Sequence, residues 1–185
     1  MTEHEQLVHL LATRSARSGD FTLASGRRST LYIDARLTTM SPEGLVLIGK
    51  LGLALIREHW KADSVGGLTL GADPISYAIS YASATTTAPL RAFTVRKEIK
   101  THGTGKLIEG PFQPSDRVIV VEDVITTGSS ALRAVSAVQD AGGSVAGALA
   151  LVDREEGGRE SIEAAGVPVV SMVTAQELVR FLSGQ

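Results

Sequence analysis

VIVVEDVITTGSS, residues 118–130, decides how the rest of the chain is read. Four aliphatic residues, Val118, Ile119, Val120 and Val121, run straight into two adjacent carboxylates, Glu122 and Asp123. Val124 and Ile125 follow, and then Thr126, Thr127, Gly128, Ser129 and Ser130. An unbroken aliphatic run is the pattern of a strand covered on both faces, as in a parallel sheet. In open α/β sheets, ligands sit beyond the carboxyl ends of the strands. Here that end carries two acids and a hydroxyl-rich turn that opens a helix. The turn offers up to five backbone N–H groups, four hydroxyls and the positive end of a helix dipole, which together form a phosphate cradle. Gly128 lets the backbone approach an anion closely. Carboxylates would repel a phosphate, so Glu122 and Asp123 need a different partner. A ligand with a phosphate at one end and vicinal hydroxyls at the other, a ribose 5-phosphate, satisfies both halves.

The same alternation extends downstream. SSALRAVSAVQDAGG (129–143) reads as a helix closed by glycine, SVAGALALVD (144–153) as a strand, RESIEAAG (159–166) as a helix and VPVVSMV (167–173) as a strand. A last helix starts on a capping box, Thr174 with Glu177. Upstream, Thr2 and Glu5 form another capping box, ahead of a helical face of Leu7, Leu10 and Leu11. FTLASGRRSTLYID (21–34) reads as two extended segments around a turn. Ser41-Pro42 starts a helix expected to turn Leu45, Ile48, Leu51, Leu55 and Ile56 inward. SVGGLTL (64–70) and LRAFTVR (90–96) read as strands, and Asp73-Pro74 as a second cap-proline helix start between them. KEIKTHGTGKLIEGPFQPSD (97–116) lacks any periodicity and reads as one long loop. The expectation is one α/β domain over 1–185, with a mostly parallel sheet flanked by helices.

Composition narrows the function classes. A length of 185 residues suits one core. A net charge of −2 gives no general attraction to nucleic acid or anionic membrane, so phosphate binding has to be local. The absence of cysteine excludes disulfides, thiolate metal sites and a cysteine nucleophile. The N-terminal segment mixes charges throughout and does not read as a signal peptide, and no apolar run is long enough to span a bilayer. A cytoplasmic protein is expected. There is no Walker A sequence and no GxGxxG after a strand.

The 118–130 stretch resembles the phosphoribosyl pyrophosphate (PRPP) motif of the type I phosphoribosyltransferases. Three further stretches narrow the resemblance to the orotate phosphoribosyltransferases: RKEIKTHGTG (96–105) is similar to their mobile catalytic loop, FTLASGRRS (21–29) to their N-terminal segment, and LVDREEGGRE (151–160) to a substrate-binding strand end. Order and spacing match across nearly the whole chain. The resemblance implies the type I phosphoribosyltransferase fold, with a small N-terminal hood (about 1–40) and a mobile loop (97–115). It implies transfer of ribose 5-phosphate from PRPP to orotate, giving orotidine 5′-monophosphate and pyrophosphate in UMP biosynthesis.

By that resemblance Lys100 and Asp123 are catalytic. PRPP falls to Arg96, Lys97, Lys100, His102, Glu122, Asp123, Val124, Ile125, Thr126, Thr127, Gly128, Ser129 and Ser130, and orotate to Thr126 and Arg154. Mg2+ is implied as cofactor, carried by PRPP rather than held directly by side chains. A homodimer is implied, with the loop reaching the neighbouring subunit's site, and neither nucleic acid nor membrane as partner. Two departures stand out: Ala24 where some members carry lysine, and TLGADPI (69–75) where some present a Tyr-Lys pair to pyrophosphate. Backbone N–H groups around Gly71 are expected to take over that contact. His4, His9 and His59 read as ordinary surface residues, and Trp60 and Tyr77 as packing residues. Two other readings stay open: a phosphoribosyltransferase for another base, and a PRPP-fold regulator that binds nucleic acid.

Overall fold

The aliphatic run lies in the middle of a nine-residue strand, Arg117–Ile125. Val118, Ile119, Val120 and Val121 are all fully buried. Successive side chains of a strand point to opposite faces. Val118 and Val120 therefore pack on one side of the sheet, and Ile119 and Val121 on the other. Both faces have to be covered, which is why the run contains no polar residue. The structure, a computed structural model, describes residues 1–22, 28–98 and 106–184.

In chain order the strands are β1 (Ala16–Thr22), β2 (Arg28–Ile33), β3 (Ser64–Leu68), β4 (Arg91–Val95), β5 (Ile108–Glu109), β6 (Arg117–Ile125), β7 (Ser144–Asp153) and β8 (Val169–Thr174). β1 and β2 form a separate antiparallel ribbon, and the rest make one sheet in the order β5-β4-β3-β6-β7-β8. All neighbours in that sheet are parallel except β4 and β5. The helices are α1 (Glu3–Leu10), continued by a π-helical turn to Ser15, α2 (Arg36–Thr39), α3 (Pro42–His59), α4 (Ala72–Ser83), α5 (Ser129–Asp140), α6 (Gly158–Ala164) and α7 (Ala175–Ser183). Residues of α1, α3, α4 and α7, such as Leu7, Ile48, Ile75 and Leu178, close one face of the sheet. Residues of α5 and α6, such as Ala134, Val138 and Ile162, close the other.

From β3 the chain crosses through α4 to β4 on one side, and later returns to β6 on the other side of β3. The order of strands thus reverses between β3 and β6. That is the crevice where open α/β sheets bind ligands.

Both expected capping boxes form, at Thr2 with Glu5 and at Thr174 with Glu177, and Ser41 caps α3 with Pro42 in its first turn. Two expectations need correction. α4 begins one residue before Asp73, with Gly71 at its cap position, because the Asp73 carboxylate is engaged elsewhere. The 97–116 segment is not loop throughout: Ile108 and Glu109 pair antiparallel with Val95 and Thr94 and cover the sheet edge. The inward face expected of α3 forms: Ile48 and Ile56 are buried, Leu45, Leu51 and Leu55 are half-buried against the same core, and Leu47 joins them. Gly44, Gly49 and Gly52 let that helix lie close to its neighbours.

Candidate active site

β6 delivers Glu122 and Asp123 to the crevice between β3 and β6. Asp123 turns toward the end of β3, where a β-carbon on Gly71 would lie 2.4 Å from Asp123 Oδ2 and 2.7 Å from Oδ1. The backbone at residue 71 therefore rests directly on the carboxylate, and only glycine leaves it in place. The other hold on Asp123 is local: Oδ1 accepts a hydrogen bond from the Val124 backbone at 2.9 Å.

Glu122 sits differently. Its Oε2 is buried with no hydrogen-bond partner among the described residues. Burial, and after it the repulsion of the adjacent Asp123 carboxylate, push its pKa up to about 9. Glu122 therefore keeps its proton at neutral pH.

Beyond the acids the chain turns sharply. Gly128 adopts φ 79° and opens α5, a conformation that side chains other than glycine rarely take. The turn is also pressed against α6, since a β-carbon on Gly128 would lie 2.7 Å from the Gly158 carbonyl oxygen. The Thr127 hydroxyl donates to Ser129 Oγ at 3.1 Å. Glu122, Val124 and residues 125–130 line a hollow of about 100 Å³. The first N–H groups of α5 have no partner within the helix and face outward, as at any helix start. Ile125 contributes only its backbone: its side chain is in the core and its carbonyl accepts from the Arg154 N–H at 3.0 Å.

Arg154 follows Asp153, which pairs with Ile125 in the sheet, so it starts beside this turn. Its side chain is buried rather than on the surface, at 5% exposure. The guanidinium is held by Glu156 at 2.7 Å, by Ser29 Oγ at 2.8 Å and by the Leu31 carbonyl at 3.1 Å. It therefore pins the β1–β2 ribbon to the end of the main sheet. Glu156 and the ribbon residues Asp20, Phe21, Thr22, Arg28, Ser29 and Thr30 line an adjoining cavity of about 610 Å³.

Arg96 leaves the end of β4. Its N–H donates to Leu107 and its guanidinium lies 3.4 Å from Glu109. Lys97 is exposed, and its carbonyl accepts from Arg133 of α5 at 2.8 Å. Lys100 and His102 lie outside the described residues, as do Ala24, Ser25 and Arg27.

Several residues near the crevice have contacts that the sequence does not announce. Asp73, Thr69, Thr94 and Tyr77 form a connected network at the ends of β3 and β4. Tyr77 is half exposed and hydrogen-bonded, not a packing residue. Arg36 is held by Asp34 at 2.8 Å; that bond above all raises its pKa, and the charge of Asp123 adds to the effect. Glu156 lies in the LVDREEGGRE stretch, with nothing local to mark it as the partner of Arg154. Trp60 behaves as expected, packing its indole over Gly147. His4 meets Glu177, while His9 and His59 lie against Phe181 and Trp60. No cluster of three His, Asp or Glu that could hold a metal occurs among the described residues. Nor is any described helix long and apolar enough to cross a membrane.

No protein-family model matches the chain. Curated relatives and solved structures do. The chain is 49% identical over 182 residues to the orotate phosphoribosyltransferase of Aquifex aeolicus, covering 97% of this chain and 99% of the relative. It superposes with a TM-score of 0.84, at 44% identity, on Mycobacterium tuberculosis orotate phosphoribosyltransferase in complex with Fe(III) dicitrate, covering 96% and 99% of the two chains. The complex of the same enzyme with PRPP gives a TM-score of 0.81 at 41% identity, over 96% and 99%. With identity sustained over nearly all of both chains, and with an acid pair and a phosphate-sized turn at the end of β6, this chain belongs to the orotate phosphoribosyltransferase family.

Proposed function

We propose that the protein transfers the 5-phosphoribosyl group of PRPP to orotate, giving orotidine 5′-monophosphate and pyrophosphate in UMP biosynthesis. The observation that carries this reading is the β6 end, where Glu122 lines a small hollow ringed by helix-start N–H groups and hydroxyls, with Asp123 next to it in the strand. The turn 126–130 would hold the 5-phosphate. Asp123 would accept from the ribose hydroxyls, with Glu122 beside it. As the bond from the anomeric carbon to pyrophosphate breaks and the bond to the orotate nitrogen forms, positive charge develops on the ribose. Asp123 would offset it. Arg96, Lys97, Lys100 and His102 would neutralise the leaving pyrophosphate, with Lys100 as the catalytic lysine.

The Asp123 carboxylate suits a magnesium ion that arrives with PRPP and keeps substrate and water oxygens around it. Bound there beside Asp123 and Glu122, the ion would supply positive charge to the leaving group. Arg154, with Thr126, would recognise the orotate carboxylate, a planar acceptor that suits a guanidinium fork. Glu156 holds that guanidinium in the free protein, so orotate would compete with an internal carboxylate.

A homodimer with a shared site is part of the proposal. In its favour, α3 and α4 present an apolar hollow of about 580 Å³, with Val46, Tyr77 and Tyr81 exposed around it, and such faces mark interfaces. The compartment proposed is the cytoplasm. Pyrophosphate release from PRPP and magnesium, with a panel of bases, tests the reading. Orotate should support release while uracil, adenine and hypoxanthine should not. Comparable rates with adenine or hypoxanthine would overturn the assignment.

A further inference from the structure

We propose that Asp73 is a positioning residue for PRPP: through Thr69 and Thr94 it locks the turn that rests on Asp123 to the strand that carries Arg96 and Lys97. The proposal rests on the PRPP reading of the site.

Asp73 is the second residue of α4 and only 8% exposed. Thr69 Oγ1 donates to its Oδ2 at 2.7 Å, and Thr94 Oγ1 donates to its Oδ1 at 2.8 Å. A threonine hydroxyl has a single proton. Thr94 spends its proton on Asp73, so in the contact of 2.9 Å between Tyr77 and Thr94 the tyrosine is the donor. Every direction in the network is therefore fixed: Tyr77 donates to Thr94, and Thr94 and Thr69 donate to Asp73. Among the described residues no cation pairs with this carboxylate. A buried carboxylate without a cation is costly to retain. Two charge-assisted hydrogen bonds and the α4 dipole offset that cost.

What the network joins gives it meaning. Thr69 begins the turn that leads to Gly71, which lies so close to Asp123 that a β-carbon there would fall within 2.7 Å of both carboxylate oxygens. Any movement of that turn reaches Asp123 directly. Thr94 sits two residues before Arg96 and pairs with Glu109, the residue that faces the Arg96 guanidinium. One carboxylate thus sets the spacing between the ribose-facing acid and the root of the cationic segment, the two sides between which pyrophosphate would leave. A residue that merely stabilised the start of α4 would have no need to reach both strands.

The test uses the whole protein and three variants: Thr69→Val, Thr94→Val and Asp73→Asn. Valine keeps the shape of threonine and removes the donor. Calorimetric titration with PRPP and magnesium should show each threonine variant binding about tenfold more weakly, the loss of one hydrogen bond to a charged group. The KM for orotate should stay within about twofold, since orotate binding uses another part of the site. Adding Asp73→Asn to Thr69→Val should then cost less than the two changes taken separately, because they remove the same contact. Equal rises for PRPP and orotate together with a lowered melting temperature, or unchanged PRPP binding in both threonine variants, would overturn the proposal. If Asp73→Asn does not fold, the threonine variants decide alone. Failure of the wild type to bind PRPP would instead overturn the reading of the site itself, and it is seen before any variant is made.

Discussion

Gly71→Ala puts the geometry of the site under the sharpest strain. The substituted β-carbon would stand 2.4 Å from Asp123 Oδ2, 2.5 Å from Cγ and 2.7 Å from Oδ1. An ordinary carbon–oxygen contact needs roughly 3.5 Å. Either the carboxylate or the turn must therefore give way by about 1 Å. Misplacing a reacting group by that distance costs on the order of 10²-fold in rate. Stability should behave quite differently. Residue 71 has φ −62° and ψ −41°, a helical conformation that alanine adopts freely. Restricting the unfolded chain would then contribute about 0.4–1 kcal/mol in favour of folding, set against whatever the displaced carboxylate loses. The expected outcome is a kcat/KM for PRPP down about 100-fold with a melting temperature within a few degrees of wild type. Steady-state kinetics at saturating orotate, alongside calorimetric unfolding, measure both. A variant whose kcat/KM for PRPP stays within about twofold of wild type would refute the idea that the Gly71 backbone fixes Asp123 for catalysis.

Three further expectations follow from the same contacts. Glu122 keeps its proton up to about pH 9 in the folded state, whereas its ordinary value is 4.5. Between those values the unfolded chain has lost a proton that the native one retains, so stability falls as pH rises, by at most about 1.4 kcal/mol per unit. Urea midpoints at pH 6 and pH 8 should show that fall in wild type and a shallower one in Glu122→Gln; equal slopes would contradict it. Arg154→Ala breaks a buried pair with Glu156 and frees the β1–β2 ribbon, so it should cost about 3 kcal/mol of stability. Separate titrations should show a larger loss for orotate than for PRPP, and equal losses would leave Arg154 a structural residue only. If Lys100 serves the neighbouring subunit, co-refolding Lys100→Ala with Asp123→Asn chains makes about half the dimers hybrid, each with one intact site. Activity should then return to roughly a quarter of wild type by that count. No rescue despite confirmed subunit exchange would place Lys100 in its own chain's site.

The fold was legible because its signals are local. Aliphatic runs bounded by capping boxes at Thr2 and Thr174, and by Ser41-Pro42, gave a parallel α/β sheet, since a strand covered on both faces tolerates no polar position. The acid pair and the 126–130 turn were legible for the same reason: chemistry and spacing lie within thirteen consecutive residues. What stayed hidden depends on contacts between distant segments. Asp73 looks like a helix cap in sequence, and only the approach of β3 to β4 turns its carboxylate toward Thr69 and Thr94. Nothing local marks Arg154 as buried, and only the folding back of β2, 123 residues away at Leu31, encloses it. Ile108 and Glu109 carry too short a pattern to announce a strand, yet the open edge of β4 recruits them.

The central claim is that a ribose 5-phosphate passes from PRPP to orotate at the end of β6. Mass spectrometry of the products from orotate, PRPP and magnesium tests it most directly, with wild type and Asp123→Asn run side by side. The account predicts orotidine 5′-monophosphate and pyrophosphate in equal amounts from wild type, and a rate on the order of 10²-fold lower from Asp123→Asn, the loss expected when one electrostatic stabiliser is removed. Ribose 5-phosphate without a joined base, or an undiminished rate from Asp123→Asn, would contradict it.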